Sequence, residues 1–444
     1  MTISIKSLLQ TAMKRHLGSA EVTGVMRLTG GATMESWRFE ADGEMYVLRR
    51  APSLEFMTER PFGHDTEAAI IRAAHACGVT APEVIAEMEA EDGLGSGFVM
   101  RALPGTPDPR AILAMEQPSQ ILNQAARDLA RIHAIKPDAI PSDVPRLDYT
   151  DGVAGLRAQF EEAGGDRPII ALGLKWLADN LPDPVDPVLN HGDFRLGNIL
   201  AEDSRLTGVL DWELAHFGDP HEDLAFGCMA VWRFARYDRP ALGLGSLEDY
   251  FSAYEAESGS RIDRARFRFW SIYRTVWWAL GCLRMANFWR SGEDRMLERV
   301  VISRRTSEQE LDLLMLLAEE VSGGDVAEVS SMPDAPPING EASNGEIATA
   351  ISEWLATIKD KVEGHDRFQL AVARNALGMI ARDDATSPRS RNIQLSDEIT
   401  RGDKGLNSPG LLARLKRDAL DKLSADIPKY PALAVARKKW TGED

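Results

Sequence analysis

The stretch HGDFRLGNIL, from His191 to Leu200, sets Asp193 and Asn198 on one short loop among glycines, and Asp211 follows in GVLDWELAHFGDPHEDLAF. Asp211 and Asn198 offer the hard oxygen donors that Mg2+ takes, one or two from the protein and the rest from water and nucleotide phosphates. Asp193 is then the carboxylate left to accept a proton from an attacking hydroxyl. Phosphoryl transfer divides labour in this way and draws its catalysis from positioning and charge neutralisation.

That chemistry also needs a strand cation for the nucleotide phosphates and a helix carboxylate to orient it. Arg49 in MYVLRR shares a strand face with Val47, and Glu67 opens the helical stretch HDTEAAIIRAAHACG; the two also read as an ordinary exposed ion pair. Gly30 and Gly31 in LTGGATMESW stand where a backbone could approach phosphates closely, or form a plain turn. The main chain near Val99 and Met100 in GFVM could bind adenine.

Other candidates have ordinary readings. His133 in LARIHAI reads as a core histidine. His216 and His221 beside Asp219 look like a metal cluster, but the intervening Pro220 argues against a zinc site. In RIDRARFRFWSIYRTVWWALGCLRMANFWR, Arg261, Arg264, Arg266 and Arg268 could receive the phosphates of a coenzyme A carrier, with Trp270, Tyr273, Trp277 and Trp278 lining an acyl pocket. A solvated basic face over a core-packing aromatic face accounts better for the same pattern.

The elements that must position these residues are legible in outline. EVTGVMRL and SWRFEADGEMYVLRR alternate at the strand period, with a hairpin signal at Asp42-Gly43. Ile5, Leu8, Leu9 and Met13 suit an amphipathic helix, as do Ile121, Leu122, Leu129 and Ile132. NILAE and LTGVLDW are short strands flanking the loops of interest. Near Val321 the chain turns polar and small, as a flexible linker does, and helical periodicity resumes in EIATAISEWLATIKDKV. The tail reads as a separate small helical module.

With 444 residues, two or three domains are expected. The net charge of -17 argues against global attraction to nucleic acid or anionic membrane, so an anionic ligand must be held by local positive groups. Three cysteines without metal-like spacing, and an N-terminus unlike a signal peptide, suit a reducing cytoplasm. No stretch reads as a membrane span.

YVLRR, HGDFRLGNIL and VLDWELAHFGDPHEDLAF resemble the aminoglycoside phosphotransferase and choline kinase branch of the protein-kinase-like fold, most of all the kinase modules that accompany acyl-CoA dehydrogenases. The resemblance implies an α+β bilobal fold, with a small antiparallel-sheet lobe for nucleotide over 1–101 and a mostly helical catalytic lobe over 102–321. A linker at 322–345 and an all-α domain over 346–444 follow. ATP and Mg2+ are implied as cofactors and a small-molecule alcohol as acceptor, most readily a 4-hydroxyacyl-CoA, with an acyl-CoA dehydrogenase as a possible partner.

Residue by residue, the resemblance makes Asp193 the base and Asn198 and Asp211 metal ligands. Arg49 becomes the phosphate cation and Glu67 its partner, while His191 and Asp223 brace the catalytic loop. Arg195, Glu213, Arg264, Arg268 and Trp277 are candidate acceptor-binding residues. Arg49 departs from the lysine of the wider fold, and GGATMESW departs from the usual glycine-loop spacing. An aminoglycoside, choline or sugar kinase, and a nucleotide-sensing scaffold for a dehydrogenase, are the alternative readings.

Overall fold

Asp42 and Gly43 both take positive φ, 50° and 84°, and so close the expected two-residue hairpin between β2 (Glu35–Ala41) and β3 (Glu44–Ala51). With β1 (Val22–Arg27), β4 (Val84–Glu87) and β5 (Ser96–Arg101) they form an antiparallel sheet in the order β1-β2-β3-β5-β4. One face packs on the helix Ile5–Leu17, where Leu9, Met13, Phe39, Leu48 and Val99 are fully buried. Alternation along β3 therefore turns Arg49 to the opposite face.

The computed structural model describes residues 4–18, 21–28, 34–51, 60–294, 296–320, 344–385 and 392–442. Gly30 and Gly31 lie outside the described residues, as does nearly all of the expected linker at 322–345. The chain forms two compact units, Met1–Asp148 with Asp183–Phe267, and Tyr149–Pro182 with Arg268–Asp444.

In the first unit the helix His64–Ala76 connects β3 to β4, and the helix Pro118–His133 comes after β5. Short antiparallel pairs then carry the polar loops: β6 (Val188–Asn190) with β9 (His216–Gly218), and β7 (Ile199–Glu202) with β8 (Arg205–Val209). The β7–β8 turn, Asp203-Ser204, again has two positive φ values, a conformation that this dipeptide announces far less clearly than Asp-Gly.

In the second unit, the helices beyond residue 344, which read from sequence as a module of their own, share one compact body with Tyr149–Glu162, Pro168–Asp179 and residues 268–320. The reason is electrostatic as well as apolar. The helix Thr306–Leu317 buries Glu308, Glu310 and Asp312 along with Leu311, Leu313, Leu314 and Leu317. Tyr430 donates its hydroxyl to Asp312, and Arg167 pairs with Glu310 at 3.3 Å. Arg304 donates from Nε to Asp426 at 2.6 Å and also pairs with Asp383.

Trp270 and Tyr273 are buried in aromatic packing with Phe269, so the core reading holds for them. Cys77 is exposed, whereas Cys228 and Cys282 are buried. Among the described residues no helix is long and apolar enough to cross a membrane.

Candidate active site

The loop that carries Asp193 leaves β6 at Asn190 and turns at Gly192, where φ is 83° and a Cβ would lie 2.1 Å from the Leu214 carbonyl oxygen. No other residue fits there. The turn is held by Asp223 of the helix Pro220–Phe226, which accepts the main-chain N–H groups of His191 and, at 2.8 Å, Gly192. Burial opposes the Asp223 charge, but the His133 contact, the nearby His191 and the Gly192 N–H bring its pKa below the ordinary carboxylate value. His133 is indeed a buried residue, bridging Asp223 at 3.4 Å and the Tyr254 hydroxyl at 2.7 Å.

The protons on His191 follow from its partners. Its Nδ1 accepts the Asp193 N–H at 3.2 Å, so Nε2 carries the hydrogen and donates to the Leu210 carbonyl at 3.1 Å. Burial lowers its pKa and keeps the ring neutral. The ring also packs on buried Trp212, centroid to centroid 4.6 Å. His191 thus ties the Asp193 loop to the Asp211 loop, and the Leu210 N–H returns the tie by donating to the Asn198 carbonyl at 2.8 Å.

Asp193 receives Arg195 through Nε at 2.7 Å and Nη2 at 3.2 Å, and the Asn198 amide at 2.6 Å. Burial raises its pKa, with Arg195 acting against the rise. Arg195 itself lies over the Trp232 ring, 4.4 Å from the centroid. The Asn198 nitrogen is committed to Asp193, which leaves Oδ1 as the atom of that side chain suited to a cation.

Asp211 has φ of 69°, a left-handed conformation tolerated better by Asp and Asn than by most residues. Arg49 Nη2 donates to Asp211 Oδ1 at 2.8 Å and to Glu213 Oε2 at 2.7 Å, while its Nε lies 3.0 Å from Glu67 Oε1 in ion-pair contact. The Arg49–Glu67 pair is therefore buried, not an exposed surface pair. Burial works against the Arg49 charge, and Glu67, Asp211 and Glu213 more than offset it, so its pKa is raised. Glu213 is pushed up by burial and by neighbouring Asp211.

Val47 and Met100 are direct cross-strand neighbours on the Arg49 face. Val99 pairs with Leu48, and its side chain lies in the core on the other face. Since β5 runs between β3 and β4, the main-chain groups of Val99 and Met100 face neighbouring strands. Even the Arg101 and Ala102 N–H groups are taken, by Glu83 and Met45 carbonyls.

Of the five acceptor candidates, Arg195 and Glu213 stand with the trio. Arg264 pairs with Glu248 at 3.5 Å and covers the Phe251 ring. Arg268 and Trp277 belong to the second unit, where Arg268 binds Glu319 and the Leu316 carbonyl and Trp277 stacks on Trp278. His216 and His221 pair with different carboxylates, Glu222 and Asp219, and among the described residues no group of three or more His, Cys, Asp or Glu is placed to hold a metal.

One residue the sequence did not disclose is Arg60, whose Nη2 reaches Glu67 at 3.0 Å and Glu213 at 3.3 Å. An arginine in TERPFGHD carries no motif; only its place shortly before the Glu67 helix hints at it.

A family model described as "Phosphotransferase enzyme family", APH, matches residues 24–270. Acyl-CoA dehydrogenase family member 10 of Mus musculus is 29% identical over 270 residues, 55% of this chain and 25% of that protein. Acyl-CoA dehydrogenase family member 11 of Gallus gallus is 28% identical over 253 residues, 54% of this chain and 32% of that protein. The chain thus spans a third or less of the length of these relatives. A solved structure from Ralstonia eutropha, described as "a putative aminoglycoside phosphotransferase", aligns with 70% of this chain and 98% of its own at a TM-score of 0.58 and 21% identity, which shows a common fold. The matched span takes in Arg49, Glu67, the Asp193 loop and Asp211, and the chain belongs to the APH phosphotransferase enzyme family.

Proposed function

We propose that the protein transfers the γ-phosphoryl group of ATP, with Mg2+, to the hydroxyl of a hydroxyacyl-CoA, most readily at the 4-position, in the breakdown of fatty or hydroxy acids. The observation that carries the reading is the linked pair of loops that sets Asp193 and Asn198 beside Asp211, with Arg49 anchored opposite. The donor set fits the cation, because the Asp211 carboxylate and Asn198 Oδ1 are hard oxygens of the number Mg2+ takes from protein when phosphates complete its shell. A bound Mg–ATP complex supplies the electrophilic phosphorus and neutralises charge on the leaving diphosphate.

This chain's residues do the rest. Asp193 orients the acceptor hydroxyl and takes its proton as the oxygen–phosphorus bond forms and the bond from phosphorus to the ADP oxygen breaks. Arg49 pairs the nucleotide phosphates, and Val47 and Met100 line the base. Arg195, stacked on Trp232 beside Asp193, favours an anionic or neutral acceptor over a polycation. The names of the curated relatives support an acyl-CoA setting, and a dehydrogenase is the partner that this setting suggests.

The test is ATP consumption with Mg2+ over 3-, 4- and 5-hydroxyacyl-CoAs, the free acids, choline and an aminoglycoside. The expected result is turnover confined to hydroxyacyl-CoA, with product mass raised by one phosphoryl group. Turnover of the aminoglycoside or choline alone refutes the acceptor assignment.

A further inference from the structure

Arg49 has one guanidinium group for three carboxylates, Glu67, Asp211 and Glu213. To meet nucleotide phosphates it must release Asp211 and Glu213, and a carboxylate about a third exposed, left among other carboxylates without a cation, carries a cost that solvent relieves only in part. Arg60 is placed against that cost. Its side chain is only 9% exposed, and it touches the Glu67 oxygen that Arg49 does not use. It also touches the same Glu213 oxygen that Arg49 holds, so Arg49, Glu67, Arg60 and Glu213 close a ring of alternating charge.

The ring is fixed from behind. Arg60 Nη1 donates to His64 Nε2 at 3.0 Å, which puts the imidazole hydrogen on Nδ1, where it donates to Ser96 Oγ at 2.9 Å. Ser96 begins β5, the neighbour of the Arg49 strand, so Arg60 is built into the sheet that presents Arg49.

We propose that Arg60 is a positioning residue for nucleotide binding: it holds Glu67 in place and takes over Glu213 when Arg49 turns to the phosphates. The proposal rests on the assignment of Arg49 as the phosphate cation. It also accounts for an arginine at this strand position: a planar fork gathers an extra carboxylate, and a second arginine is present to receive it.

The test is the Kd for Mg–AMP-PNP by titration calorimetry, with thermal midpoints recorded alongside. Arg60→Met is expected to weaken binding about tenfold or more, as coupled members of one ion network do. Adding Glu213→Gln to that variant removes the stranded charge and brings the Kd back to within about threefold of the wild type. Arg60→Gln, which keeps a donor for His64, takes the place of Arg60→Met if the latter does not fold. Unchanged binding in the single variant, or a double variant as weak as the single, overturns the role of Arg60 and leaves the Arg49 assignment standing. Absence of Mg–AMP-PNP binding by the wild type overturns both.

Discussion

Asp193 and Asp211 are held by different means, and this lets their roles be separated. Asp193→Asn keeps the shape of a side chain bound by Arg195 and Asn198 but removes the proton acceptor. We expect kcat to fall by about 10^2- to 10^4-fold, the usual contribution of a general base, with Mg–nucleotide affinity nearly unchanged. Asp211→Asn preserves a left-handed backbone that Asn tolerates, so its expected weakening of Mg-dependent nucleotide binding reports on the lost charge. Substantial turnover in Asp193→Asn removes that residue from its role.

His64 makes a separate prediction about pH. Burial, with Arg60 and Arg49 nearby, lowers its pKa from 6.5 to about 3, so below pH 6.5 the unfolded chain binds a proton that the folded one does not. Stability should be level above that pH and fall as pH drops toward 3. In His64→Gln the slope of thermal midpoint against pH over this window should flatten. The trio was readable because polar types at fixed spacing are rare among apolar strands, whereas Arg60 acquires its meaning only when Glu67 and Glu213 meet in space.

Elements were legible where local chemistry dictates them. Asp42-Gly43 names its turn, and the periodicity of HDTEAAIIRAAHA names its helix. The orientation of Val99 was not legible, because it depends on register: paired with Leu48, it must share the buried face. The loop between β6 and β7 is more demanding than its sequence suggests. Gly192→Ala forces a Cβ against the Leu214 carbonyl at positive φ, and we expect a loss of about 2–4 kcal/mol in urea unfolding together with the loss of Asp193 placement.

At the scale of the molecule, composition and charge suggested several domains, and a polar stretch after Val321 suggested where the last begins. What they could not show is that acids of the tail answer bases of the earlier helices. Asp426, fully buried, and Asp383 both pair with Arg304, whose side chain is about a third exposed. Asp426→Asn should cost about 1–3 kcal/mol by chemical denaturation, less than a wholly buried pair because Arg304 keeps some solvent. A chain ending at 320 loses Tyr430 from Asp312, and Asp383 and Asp426 from Arg304, so what remains of the second unit should lose its cooperative unfolding transition.

The distribution of thiols gives this protein a built-in handle. Burial pushes the Cys228 and Cys282 pKa values up to about 12, leaving these side chains poor nucleophiles as well as hidden ones. Cys77 is exposed and caps the helix that carries Glu67. A maleimide dye should therefore attach at a single address in the native chain, where its fluorescence can follow that helix as nucleotide is titrated, with no engineered cysteine.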